Sequence, residues 1–279
     1  MSTSVPRAED LVDLEERIRS RGLSLGTPLV IEDEVGSTND CAKAAAKDGA
    51  PHGSTWLAES QTQGRGRQGR TWASPRGQNL LFSVLMRTPC PLTRLPELSL
   101  VAGLVVRDAV ARALGETDTL RALVKWPNDV LIPELGAKDA LVSPKKVAGI
   151  LVESTLSGQK VDSIVVGIGI NVHVLEFPPD LADRATSVAL SGALHPDRAT
   201  ILLDVLEGLE RDVARVAARG LGDVHERLTR ACALRGRRLH TGDARGTCEG
   251  IDRDGRLLVR DDAGTLLRLS SGEVHLGRP

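Results

Sequence analysis

Aromatic side chains are the first scarcity: 279 residues include three Trp, two Phe and no Tyr. Proteins that grip single-stranded nucleic acid stack bases on such rings, so that role is disfavoured. Neither sign of charge dominates. Lys and Arg number 36 against 37 Asp and Glu, a net charge of -1, which provides no whole-protein field to hold nucleic acid. Long apolar runs are also missing. The longest, Leu100–Val106 and Ile164–Ile170, are 7 residues each with their glycines counted, against about 20 for a membrane helix. The first ten residues are polar and acidic instead of basic then apolar, so no signal peptide is expected and the cytoplasm is the expected location. Cysteines at 41, 90, 232 and 248 form no CxxC and have no His nearby in sequence. That spacing argues against a metal cluster or a disulfide framework and for four reduced thiols in packed regions. Walker A, GxSxG and HExxH motifs are absent, so an ATP site here is not a P-loop.

What remains is ordinary globular composition, 41% hydrophobic and 26% charged, with a length that predicts one large and one small domain. Apolar spacing predicts an amphipathic helix over 8–21, with Leu11, Leu14 and Ile18 on one face. Leu29–Val35 reads as a strand. Ser37, Thr38, Asn39 and Asp40 supply cap chemistry for an Ala-rich helix ending near Gly49. Further strands are predicted over 55–60, 79–87, 123–132, 146–155 and 162–172, a buried helix over 98–114 and a long helix over 199–219. Strands and helices do not alternate strictly, which predicts an α+β fold with a mixed β-sheet and packed helices. From about 233 the texture changes to short strands (237–241, 246–251, 256–260, 265–269, 273–276) punctuated by Asp-Gly and Ala-Gly turns. A small β-module packed on the main domain is expected.

Four stretches could carry chemistry. In Gly64-Arg65-Gly66-Arg67-Gln68-Gly69-Arg70-Thr71-Trp72, glycines free the backbone while arginines present planar forks suited to phosphate and carboxylate oxygens. Such a loop can be mobile when empty and fold over an anion; alone, it also reads as a surface loop or an RNA-binding segment. Lys125-Trp126-Pro127-Asn128-Asp129 joins a strand to a turn signal, and strand ends of open sheets often hold ligands. Lys145-Lys146-Val147-Ala148-Gly149-Ile150-Leu151-Val152-Glu153 sends a lysine into an apolar strand, where a buried ammonium must meet an anion or lose its proton. Gly167-Ile168-Gly169-Ile170-Asn171 lacks a third glycine and continues a strand, so it is not a dinucleotide fingerprint.

In this order, and with Gly36-Ser37-Thr38-Asn39 and Gln61-Thr62-Gln63 added, the motifs resemble the biotin protein ligase family over about 135 residues. The strand-rich tail resembles that family's C-terminal SH3-like β-barrel. The resemblance implies a biotin/lipoate ligase-like catalytic domain over 1–232 and the barrel over 233–279. It implies that biotin and MgATP give biotinyl-5′-AMP and pyrophosphate, and that biotin then passes to one lysine of a biotin carboxyl carrier domain. By the same resemblance, Lys146 and Arg67 are catalytic. Biotin falls to Ser37, Thr38, Asn39, Gln61, Gly64, Arg65, Gly66, Arg67, Lys146 and Gly149. ATP falls to Arg67, Arg70, Trp72, Lys125, Asn128 and Asn171, and Mg²⁺ to Asp129.

Three features depart from the family pattern. Seventeen positions separate Asp129 from Lys146, so an exposed loop is expected near Pro133–Pro144. No Trp follows position 126, and only Phe177 follows Asn171 as an aromatic, which leaves the adenine cover unassigned. Only 36 residues precede Ser37, too few for the winged-helix domain of bifunctional members, so a ligase that binds no DNA is expected. The alternatives are a lipoate or octanoate ligase on the same fold, and a nucleic-acid-binding protein using the Arg/Gly loop. Oligomeric state is not legible.

Overall fold

The computed structural model describes residues 9–115, 122–133, 144–242 and 244–276. Its larger sheet has seven strands: β1 (Leu29–Val35), β2 (Thr55–Gln61), β3 (Asn79–Met86), β4 (Leu123–Lys125), β5 (Asp129–Ile132), β6 (Lys145–Ser157) and β7 (Lys160–Asn171). They lie in the order β1-β2-β3-β7-β6-β5-β4. Among the described strands only β1 and β2 pair in parallel, and the crossover that a parallel pair requires is α2 (Thr38–Lys47). The sheet is therefore mixed, as the order of elements predicts.

Period-two alternation gives the sheet two different faces. Phe82 and Val84 of β3, Val166 and Ile168 of β7 and Ile150 of β6 join the main apolar cluster. That face is covered by α3 (Leu95–Ala113) and α4 (Arg198–Arg219). α3 is apolar on nearly every side because it lies between the sheet and α4, while α4 buries one stripe that includes Leu202, Leu206, Leu209 and Val213. The Asp197 side chain caps α4 by accepting from the backbone N–H groups of Ala199 and Thr200. On the opposite face, Trp56, Leu85 and Val165 pack against Ala42 and Ala46 of α2. Residues between these apolar positions are left to face the space beside α2.

Several local expectations are corrected. The single strand over 123–132 is two strands, β4 and β5, joined by the turn at residues 126–128. The helix over 8–21 is a 3₁₀ turn at Glu9–Leu11 followed by α1 (Leu14–Ser20), both still presenting Leu11, Leu14 and Ile18 to the core. Ser37 occupies the N-cap position of α2, yet its side chain makes no capping hydrogen bond. A short helix, α5 (His225–Ala231), was not predicted; seven residues are too few for a clear periodic signal. The expected loop near Pro133–Pro144 lies, between those prolines, outside the described residues.

The tail forms an antiparallel five-stranded sheet in the order β11-β10-β9-β8-β12. Its strands are β8 (Arg238–Thr241), β9 (Ala244–Ile251), β10 (Leu257–Arg260), β11 (Leu266–Leu269) and β12 (His275–Leu276). The two sheets are joined by specific contacts. Trp126 Nε1 donates to Gly255 O at 2.9 Å, and His225 Nε2 lies 2.8 Å from Ile251 O. Among the described residues, no helix is long and apolar enough to cross a membrane.

Candidate active site

Strand register builds the floor of a cleft on the α2 side. One row across the sheet is Lys125, Asp129, Gly149, Gly169 and Leu81. The next is Leu151, Gly167, Ser83 and Trp56. Glycine recurs because other groups lie directly on these strands. A Cβ at Gly169 would come within 2.7 Å of the Trp72 ring, one at Gly149 within 3.0 Å of it, and one at Gly167 would overlap Asn39 Oδ1. The Gly-Ile-Gly-Ile-Asn run thus serves packing against a cleft. It puts isoleucines into the core and leaves its glycines beneath Asn39 and Trp72.

Ser37, Thr38 and Asn39 open α2 above the second row. Gln61 Oε1, at the end of β2, accepts from Thr38 N at 2.8 Å and from Thr38 Oγ1 at 3.1 Å. Fully buried Ser83 donates to Asn39 Oδ1 at 2.6 Å and lies 2.8 Å from Thr38 Oγ1. The Gln61 amide nitrogen, a donor, takes no part in these bonds. The Ser37, Thr38, Asn39 and Gln61 side chains at this end of the cleft are uncharged and rich in hydrogen-bonding groups.

The Gly/Arg stretch folds as a hairpin. Trp72 N donates to Gly64 O at 2.9 Å and Gly66 N to Arg70 O at 2.7 Å. Gln68 (φ 57°) and Gly69 (φ 72°) adopt the left-handed conformation that reverses the chain. A side chain at Gly64 would collide with Trp72 O, 2.5 Å from the position of a Cβ. The hairpin brings Arg67 toward Asn128, whose Oδ1 accepts from Arg67 Nη1 at 3.4 Å. Asn128 is held by donating to Ile150 O at 2.9 Å. Arg70 pairs at 2.9 Å with Glu273, just before β12.

At this second end the charge is mostly positive. Arg67, Arg70 and Lys146 line the cleft here, with Asp129 as the one acidic lining residue among those described. Lys146 Nζ pairs with Asp129 at 2.6 Å and sits 5.3 Å from the Trp72 ring centroid. Burial pushes the Lys125 ammonium below its usual range, although Asp129 opposes the shift. Burial likewise lowers the Arg67 value. Half-buried cations with one carboxylate between them favour an incoming anion. Trp72 Nε1 is buried without a hydrogen-bond partner at the same place.

Of the residues expected at the site, most line this cleft: Ser37, Thr38, Asn39, Gln61, Arg65, Gly66, Arg67, Arg70, Trp72, Asn128, Asp129, Lys146 and Gly149. Three do not. Gly64 acts at the base of the hairpin, and Lys125 lies on β4 opposite Asp129. Asn171 is 5% exposed, with its amide donating to Thr186 O at 3.0 Å and its oxygen 3.4 Å from Asn79 Nδ2. It was expected on the nucleotide; here it braces the end of β7. Arg65 was expected on biotin; it lines the cleft, but its guanidinium is paired with Asp40 at 2.6 Å and Glu153 at 3.4 Å. Ser83 and Glu153 were missed as neighbours of the site. A lone hydroxyl inside apolar β3 and the alternation 149, 151, 153 along β6 were the available signals. Among the described residues, no three His, Cys, Asp or Glu side chains converge as a metal site.

Comparisons with known proteins identify the family. Residues 34–171 match the Biotin/lipoate A/B protein ligase family, and residues 235–277 match the Biotin protein ligase C terminal domain. A biotin–[acetyl-CoA-carboxylase] ligase of Paracoccus denitrificans is 34% identical, covering 85% of this chain and 98% of its own. One of Mycobacterium tuberculosis is 33% identical, covering 94% and 96%. The structure of a biotin protein ligase from Aquifex aeolicus, in complex with biotin and ATP, superimposes with a TM-score of 0.73 at 31% identity, covering 90% of this chain and 99% of that one. On the two matched regions and these relatives, the chain belongs to the biotin protein ligase family.

Proposed function

We propose that this protein is an ATP-dependent, AMP-forming biotin ligase that activates biotin as biotinyl-5′-AMP and passes it to a lysine of a biotin carboxyl carrier domain. The observation that carries the reading is the two-ended cleft. Neutral hydrogen-bonding groups at Ser37, Thr38, Asn39 and Gln61 suit an uncharged ureido ring, and Lys146 with the hairpin arginines suits a carboxylate and phosphates. Biotin's carboxylate is already ionised at neutral pH, so its attack on the α-phosphorus needs no general base. An oxygen–phosphorus bond forms and pyrophosphate leaves with the bonding pair. The barrier lies in bringing two anions together, which positive charge and positioning reduce. Lys146 and Arg67 are assigned that work, with Arg70, Lys125 and Asn128 supporting the nucleotide. A lysine amine of the carrier then attacks the acyl carbon, loses a proton and displaces AMP.

Mg²⁺ enters with ATP as part of the substrate. A single carboxylate, Asp129, is a weak resident site but fits a cation already held by phosphates. In this reading residues 1–232 carry the chemistry and 233–279 form a platform packed on it. The test is to incubate the protein with biotin, MgATP and a carrier domain and weigh the carrier. Gain of one biotinyl group on one lysine supports the reading. Absence of biotin-dependent pyrophosphate exchange, or equal exchange with octanoate or lipoate, overturns it.

A further inference from the structure

Glu153 has no part in the chemistry above, yet its carboxylate joins both α2 and the Gly64–Trp72 hairpin to β6. Oε2 accepts from Asn39 Nδ2 at 2.7 Å and from Arg65 Nη2 at 3.4 Å, while Oε1 accepts from Lys43 Nζ at 2.7 Å. Asp40 completes the group, 2.6 Å from Arg65 and 3.1 Å from Lys43. Asn39 is 4% exposed, and its hydrogen-bonding capacity is nearly used up. Nδ2 donates to Glu153 and, at 3.3 Å, to Leu151 O, and Oδ1 accepts from Ser83. A flipped amide would set its oxygen against the Glu153 carboxylate and the Leu151 carbonyl, three acceptors with no proton between them. The carboxylate, with the Leu151 carbonyl, therefore dictates which end of Asn39 faces which neighbour, and the missing Cβ of Gly167 leaves room for the amide.

We infer that Glu153 is a positioning residue that locks the Asn39 carboxamide in one orientation and, through Arg65, holds the Gly64–Trp72 hairpin in register with the biotin-binding turn. The inference rests on the proposed function. Burial pushes the Glu153 carboxyl up, but the hydrogen bonds from Lys43 and Asn39 and the nearby positive charges outweigh it and hold the group below its usual range. It is a carboxylate at neutral pH. Field and position make opposite predictions here. Glu153 and Asp40 balance Lys43 and Arg65, so deleting one negative charge would, by field alone, favour an anionic adenylate. A weaker grip after that deletion therefore reports lost positioning.

Wild type, Glu153→Met and Glu153→Gln are compared for biotin KM, ATP KM and the release rate of preformed biotinyl-5′-AMP. Met keeps the length, removes both carboxylate oxygens and leaves only a weakly accepting sulfur. Its biotin KM and adenylate release are expected to rise about tenfold, equal to about 1.4 kcal/mol, and ATP KM to rise with them, because the hairpin also carries Arg67 and Arg70. Gln restores an acceptor for Asn39 but not the charge for Arg65 and Lys43. It should return biotin KM to near wild type while release stays fast, a split that general loss of folding would not produce. Unchanged or tighter constants in Glu153→Met overturn the role. If that variant does not fold, wild-type release in Glu153→Gln overturns it. A wild-type chain that makes no adenylate overturns the proposed function instead, so the two failures are distinguishable.

Discussion

Lys146 enters β6 where the strand meets the cleft, and Asp129 on the adjoining strand neutralises it in the described state. In the proposed reaction a carboxylate and an α-phosphate compete for that ammonium. Lys146→Ala should lower biotin-dependent pyrophosphate exchange about 10²–10³-fold, the usual cost of one such contact. Its side chain is 34% exposed, so the melting temperature should move little. Wild-type exchange would remove Lys146 from its assigned role. A second residue-scale prediction concerns Glu97, 6% exposed, with Oε2 buried and without a hydrogen-bond partner. Burial pushes its carboxyl above the usual range; Arg94 and the Leu221 backbone oppose this, and Asp254 and Asp252 reinforce it. The folded state therefore binds this proton more tightly than the unfolded state. The associated stability is present below the unfolded pKa and is lost as pH rises through the folded one. Glu97→Gln should gain in melting temperature relative to wild type as pH rises from about 4. A gap that does not change with pH would show that Glu97 is not responsible.

At the scale of elements, β6 and β7 divide their residues between two tasks. Ile150, Ile168 and Ile170 enter the core, while Gly149, Gly167 and Gly169 pass beneath Trp72 and Asn39. Gly167→Ala should therefore act on both stability and binding. Its methyl would overlap the Asn39 amide, whose two ends are hydrogen-bonded. Overpacking of this kind costs about 1–3 kcal/mol, and thermal melts with biotin titration would measure it. Gly222→Ala, where a Cβ would meet nothing within 4 Å, is the neutral comparison. Equal behaviour of the two variants would show that the floor tolerates a methyl. Much of this level was legible in sequence, because strands as long as β6 and β7 repeat their alternation several times. The β4–β5 hairpin was not, since strands of 3 and 4 residues blend into one apolar run when the intervening turn is ignored.

Across the whole molecule, the polar links between the two sheets include the buried hydrogen bond from Trp126 Nε1 to Gly255 O. Trp126→Phe keeps most of the ring but leaves that carbonyl without this donor, at a cost of about 1–3 kcal/mol. The loss should appear in the cooperative unfolding of the entire chain, followed by urea titration with intrinsic fluorescence. Stability equal to wild type would mean that the contact does not couple the sheets. A second link, Arg70 to Glu273, runs from the hairpin to the tail. It is partly exposed, and a surface pair of this kind contributes about 0–1 kcal/mol.

The sequence by itself determined the class of fold and the chemistry available to the cleft. Hydrophobic periodicity is a local property, and the spacing of Gly, Arg, Lys and Asn in the motifs survives without coordinates. Tertiary structure alone decided how those residues divide their work. Asn171 and Arg65 belong to motifs that read as ligand-binding, yet one side chain braces Asn79 and the Thr186 carbonyl and the other pairs with Asp40 and Glu153. Such partners lie up to 92 residues away in the chain. Only the packing of strands and helices brings them within hydrogen-bonding distance, because an ion pair or a shared proton depends on separation in space and not on position in the chain.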